Sequence, residues 1–188
     1  MEQHDAAVRR RFEELFEAHF AELTRFAARR VGADAAGDIV AGTFLIAWRR
    51  FGELPAGHAR AWLYTTARQV IANELRGRTR LERLAVKAAG GDVHVADHAA
   101  RVDEQVRVRA VLAELSEADQ EVLRLIEWDG LDVAEAARVL RCTRTALKVR
   151  LHRARRRFAQ RLLATDEQHS PAPRRARPSI VAEGSTTP

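Results

Sequence analysis

Apolar side chains recur at helical spacing over most of this chain. Over residues 10–31 the apolar set is Phe12, Leu15, Phe16, Phe20, Leu23, Phe26 and Ala27, with His19 among them, spaced to share one helix face. Gly32-Ala33-Asp34 breaks the pattern, and residues 1–9 are polar, predicting a frayed start. A second helix is predicted over 34–50, with Ile39, Val40, Phe44, Ala47 and Trp48 apolar. Gly42 inside it should cost about 1 kcal/mol relative to Ala. Residues 52–57 read as a loop, followed by a third helix over 58–76 carrying Trp62, Leu63, Ala67, Val70, Ile71 and Leu75. The pattern lapses over 78–100, where Gly90-Gly91 and mixed charges predict a linker with a short helix near 81–89. It resumes at 101 with Val102, Val106, Val111, Leu112 and Leu115. After a Ser116–Asp119 capping box come Val122, Leu123, Leu125, Ile126 and Trp128, ended by Asp129-Gly130.

Residues 132–157 read as a helix-turn-helix. Asp132 and Glu135 form a capping-box pair, and Val133, Ala136, Ala137 and Leu140 lie on one side of the first helix. Arg141-Cys142-Thr143 is the break, with Thr143 as N-cap of the second helix. That helix carries Leu147, Leu151, Ala154, Phe158 and Leu162 along one face. With Leu147 inward, Thr145, Lys148, Val149, His152 and Arg156 point outward. The fold expectation is all-α: a helical domain over 10–77, a linker over 78–100, a second helical domain over 101–163, and a disordered tail over 164–188, which holds four of the five prolines.

Charge sharpens this picture. Residues 141–161 hold nine Arg or Lys and no Asp or Glu, while the whole chain is +6, so the remainder sums to about −3 (6 − 9). The basic character is local, and it marks one polyanion-facing surface. Chemistry of other kinds finds little support. A single cysteine, Cys142, excludes an intramolecular disulfide and a cysteine-based zinc site. His94 and His98 lack a convincing third ligand, so no metal and no cofactor are expected. Ser116 and Thr143 read as helix caps rather than nucleophiles, no Gly-rich loop follows a strand, and no paired-carboxylate site emerges. The chain is therefore not expected to be an enzyme. A charged N-terminus and the lack of a long apolar run predict a cytoplasmic protein with no membrane insertion.

Three stretches together resemble a known family. They are Asp38-Ile39-Val40 followed by Thr43-Phe44-Leu45-Ile46-Ala47-Trp48-Arg49; Ala61-Trp62-Leu63-Tyr64-Thr65-Thr66-Ala67-Arg68-Gln69-Val70 with Asn73 and Arg76; and Gly130-Leu131 through Glu135-Ala136-Ala137 to Arg155. In order and spacing they resemble sigma factors of bacterial RNA polymerase, of the extracytoplasmic-function (ECF) type, over residues 10–163. Ala41 and Gly42 stand where the family usually has Gln and Glu, and Arg141 replaces its turn glycine. Thr145, Ala146 and Val149 also depart from the common residues, so no promoter sequence can be carried across.

The resemblance implies a protein that binds core RNA polymerase and directs initiation at promoter DNA, with an anti-sigma factor as a further partner of many members. It assigns polymerase binding to Asp38, Ile39, Thr43, Phe44 and Trp48. It assigns the single-stranded −10 element to Arg68, Asn73, Arg76 and Tyr64. The −35 major groove falls to Thr143, Arg144, Thr145, Lys148, Val149 and His152, and phosphates to Arg153, Arg155, Arg156 and Arg157. Two alternatives stay open on the residues alone: a free-standing helix-turn-helix regulator, and a protein-interaction module whose basic helix meets an acidic partner.

Overall fold

The computed structural model describes residues 2–55, 57–89 and 103–169. The expected tail beyond 169 and the His94–His98 stretch lie outside the described residues. Among the described residues seven α-helices follow in order: α1 (Glu2–Val31), α2 (Ala33–Arg49), α3 (Ala59–Ala89), α4 (Asp103–Ala113), α5 (Glu117–Leu123), α6 (Val133–Val139) and α7 (Arg144–His169). Short irregular turns of helix cover Phe51–Glu53 and Arg124–Trp128. No strand occurs among the described residues, and no helix there is long and apolar enough to cross a membrane.

Three boundaries depart from expectation, and one is α7, which runs on to His169 past the expected start of a disordered tail at 164. Helix α1 starts at Glu2 instead of fraying to residue 9, and α3 continues through the expected short linker helix to Ala89. Residues 77–89 contain one Gly and no Pro, so nothing there stops a helix already nucleated.

Helices α1, α2 and α3 enclose Leu23, Phe26, Ile39, Val40, Phe44, Leu63 and Ile71. Helices α4 to α7 enclose Val111, Leu112, Val122, Leu125, Leu147 and Leu151. Ser116 caps α5 through its hydroxyl, accepting from Asp119 N–H, but Asp119's carboxylate turns to Arg157, so only half of the expected box forms. The Asp132–Glu135 box forms in full.

Helix α6 ends in a Schellman motif. Cys142 N–H donates to Ala137 O at 2.9 Å and Arg141 N–H to Arg138 O at 3.1 Å, with Arg141 at φ 52°. A side chain in this left-handed region costs roughly 1–2 kcal/mol. Arg141→Gly is therefore expected to stabilise the protein by about 0.5–1 kcal/mol after the extra unfolded-chain entropy of glycine is subtracted. A thermal melt that falls instead of rising would contradict this account of the turn.

The two helical groups also pack on one another. Helix α3 lies against α6, and one continuous cluster of buried side chains runs through both groups.

Candidate nucleic-acid interface and polymerase-facing surface

Helix α7 separates its two faces cleanly. Leu147, Leu151 and Ala154 are buried, α6 packs against α7, and the small residues Ala136 and Ala137 of α6 are buried too. Thr143 caps the helix, its hydroxyl accepting from Ala146 N–H at 3.1 Å. Thr145, Lys148, Val149, His152 and Arg156 are all exposed, as the spacing predicted, and so is Arg144. The arginines beyond them divide. Arg155 pairs with Glu127 at 2.7 Å, and Arg157 with the buried Asp119 at 2.5 Å. Arg161 pairs with Glu114. These bonds fasten α7 to the turn after α4, to α5 and to the turn after α5. Arg153 and Arg156 are exposed with no such partner among the described residues.

On α3, Asn73 and Arg76 are exposed and joined by a 2.5 Å hydrogen bond, while Arg68 is half-buried. Tyr64 requires a correction. It is 0% exposed, its ring edge-on to Phe26 at 4.8 Å, so it is a core residue and offers no face to a base. The helical period explains this, because Tyr64 sits one residue from Leu63 and three from Ala67, inside the buried arc. Its hydroxyl has no hydrogen-bond partner, and burial, reinforced by Glu22, pushes its pKa up to about 12. Tyr64→Phe should leave stability unchanged or raise it by about 1 kcal/mol, since it removes an unpaired buried polar group. A loss of more than ~1 kcal/mol in a denaturant melt would show that the hydroxyl is bonded after all.

Helix α2 also corrects the sequence expectation. Ile39, Thr43 and Phe44 are buried, and Thr43's hydroxyl donates to Ile39 O at 2.7 Å. These three shape the helix from within and cannot touch a partner directly. The outward residues are Asp38, Ala41, Leu45 and Trp48, spaced by three and four, with Leu45 50% and Trp48 43% exposed. Leu45 is not among the residues the family resemblance assigns to polymerase, and helical phase alone places it on the outer side. Phe16 and Phe20 of α1 add exposed rings beside this helix, Phe16 lying 4.7 Å from Phe44.

The seam between the two helical groups is ionic. Arg30 reaches Asp129 at 3.0 Å and Glu121 at 3.3 Å, and Arg29 also pairs with Asp129, whose side chain is fully buried. Arg60 is held between Glu22 and Glu135, each at 2.9 Å, and also donates to the carbonyls of Asp129 and Gly130 at 3.1 Å. Arg68 meets Glu121 at 2.9 Å and donates to Val139 O, at the end of α6, at 3.0 Å. Burial works against charge on Glu22, but hydrogen bonds from His19 and Arg60 hold its carboxyl below the ordinary value. Burial likewise opposes the charge of Arg60, yet Glu22 and Glu135 raise its pKa overall.

Comparison with known proteins follows these two groups of helices. A family model described as Sigma-70 region 2 matches residues 15–81, and one described as Sigma-70, region 4 matches residues 105–158. The ECF RNA polymerase sigma factor SigC of Mycobacterium tuberculosis is 31% identical over 153 residues, spanning 78% of this chain and 80% of that protein. Among solved structures, the sigma factor RpoE in complex with the anti-sigma factor NepR from Bartonella quintana is 29% identical. It covers 82% of this chain and 98% of its own, with a TM-score of 0.58. CnrH in complex with the cytosolic domain of CnrY is 26% identical over 84% of this chain and 90% of its own, also with a TM-score of 0.58. With both regions matched in order on the helices described, the chain belongs to the ECF sigma factors, which bind RNA polymerase and direct promoter-specific transcription initiation.

Proposed function

We propose that three surfaces divide this work. Helix α7 reads the −35 element, entering the major groove with Arg144, Thr145, Lys148, Val149 and His152 toward base edges. Arg144 and Lys148 suit guanine O6 and N7, and Val149 suits a thymine methyl. Arg153 and Arg156 hold phosphates, with Arg155 and Arg157 serving mainly as struts, because their charge is already matched by Glu127 and Asp119. The face of α3 around Arg68, Asn73 and Arg76 takes the non-template −10 strand. The outward face of α2, with Asp38, Leu45 and Trp48, docks on core polymerase. The reading rests on α7: an exposed apolar side chain, Val149, sits among cations on the outward face of a capped second helix.

In this reading the chain performs no chemistry of its own, works in the cytoplasm, and leaves catalysis to the polymerase. An anti-sigma partner is proposed as well, supported by the RpoE structure, whose complex contains one. The experiment is run-off transcription with purified chain, sigma-free core polymerase and a pool of genomic fragments. Mapped starts that share two upstream motifs at fixed spacing are the expected result. A chain that binds duplex DNA tightly and specifically by itself, yet never binds core, would replace this reading with a free-standing regulator.

A further inference from the structure

The cations of α7 are of two kinds. Lys148, Arg150, Arg153 and Arg156 are exposed and make no ion pair among the described residues. Arg155, Arg157 and Arg161 are exposed too, but each holds a carboxylate. Apart from Arg156, the paired arginines lie on the carboxy-terminal side of the unpaired cations. Their partners come from three separate places: Glu114 after α4, Asp119 on α5 and Glu127 in the turn after α5. Asp119 is buried and reaches Arg157 at 2.5 Å, whereas Glu114 and Glu127 stand in solvent beside their arginines. Asp119 also forms part of the wall of a groove with Thr145, Val149, Arg150, Arg153 and Arg157, continuous with the outward face of α7. A second groove brings Glu114, Asp119, Arg157 and Arg161 together.

We propose that Glu114, Asp119 and Glu127 set the DNA selectivity of α7: they cancel the phosphate affinity of Arg155, Arg157 and Arg161, so that binding rests on the base-reading residues. The proposal rests on the assignment of α7 to the major groove. As fasteners the two exposed pairs are weak, because water screens both partners. The burial of Leu147, Leu151 and Ala154 seats the helix without them. Their larger effect falls on a polyanion. An arginine that stays with its carboxylate offers a phosphate no net charge. An arginine that swings to a phosphate leaves a bare carboxylate beside the DNA, where like charges repel. Either way one phosphate contact is lost per pair. Phosphate contacts hold any sequence equally well, and base contacts alone discriminate. A helix with all of its arginines free would grip every duplex and dwell at the wrong ones. In a cognate complex the base contacts fix the register, so extra free arginines reach phosphates only where that register allows. A non-specific complex is free to choose its register, and it gains more.

The test uses Glu114→Gln, Glu127→Gln and the two together in the full chain. Both side chains are exposed, so the helical signal and melting should stay close to wild type. Asp119 is left intact because it is enclosed. Binding to a labelled duplex of scrambled sequence is followed by fluorescence anisotropy over a salt series. The slope of log affinity against log salt should steepen by about 0.9 for each freed arginine, so by about 1.8 in the double variant. A merely structural role for the carboxylates would not move this slope. Glu17→Gln, an exposed change of the same charge on α1, should leave it as it is. Run-off transcription by the holoenzyme then reads selectivity. Scrambled competitor duplex should inhibit the double variant at roughly a tenth of the concentration that inhibits wild type, the equivalent of about one extra phosphate contact at 0.1 M salt. An unchanged slope, an equal change from Glu17→Gln, or equal sensitivity to competitor would each overturn the proposal. Wild-type transcription by Lys148→Ala holoenzyme would instead overturn the assignment of α7 to the −35 element, and the two failures are therefore separable.

Discussion

Phe44→Ala should unfold the amino-terminal helices before it weakens any contact with polymerase. Phe44 is only 4% exposed and its ring meets Phe12 at 6.2 Å, edge-on, and Phe16 at 4.7 Å. Truncating a buried phenylalanine costs about 3–5 kcal/mol through lost burial and the cavity left behind. That is a large share of the ~5–15 kcal/mol that holds a domain folded. A fall in melting temperature on the order of 10 °C is expected, read from the helical signal in circular dichroism. Leu45→Ala is the informative partner. Its side chain is half exposed, about 100° further round the same helix, so stability should shift by no more than ~0.5 kcal/mol. Affinity for core polymerase should nonetheless fall about tenfold if this face docks, equivalent to ~1.4 kcal/mol. A stable Phe44→Ala protein with weakened polymerase binding would reverse the assignment of inner and outer faces.

Lys148→Ala should cut transcription from the cognate promoter by roughly 5- to 150-fold while binding to core polymerase survives. The range follows from about 1–3 kcal/mol for a specific base contact. Lys148 is exposed, and truncating it removes nothing that α7 needs to pack. The neighbouring cations should behave differently. Arg155→Ala breaks the pair with Glu127 and should weaken the seating of α7, with a smaller and promoter-independent effect on DNA. Transcription at wild-type level from Lys148→Ala would remove this helix from the −35 contact. Equal loss at every promoter, with core binding gone, would mean that the substitution had damaged the domain.

The order of the helices, the capping box at Asp132, the Thr143 cap and the amphipathic split of α7 can all be read from the amino-acid sequence. Each depends on residues three or four apart, and a helix brings those together whatever surrounds it. The left-handed backbone at Arg141 came from the structure, since an arginine gives no sign of it and only the family's turn glycine marks the position. The family resemblance lay in motifs of the same local kind, as did the all-α class.

Contacts across the molecule were of another sort. Helical spacing ranks the positions of α2 around its axis, but the packing of α1 and α3 makes Phe44 inward and Leu45 outward. Tyr64 could have served core or solvent on its own chemistry; its place beside Phe26 chose the core. Arg155 and Arg157 look like members of a uniform basic tract, yet carboxylates 28 and 38 residues away neutralise them. The seam is the extreme case. Arg29 and Arg30 meet Asp129 across separations of 100 and 99 residues, and no local pattern predicts it. Long, flexible arginine side chains can reach any carboxylate that folding brings within a few ångströms. Which one they reach is a property of the packed molecule.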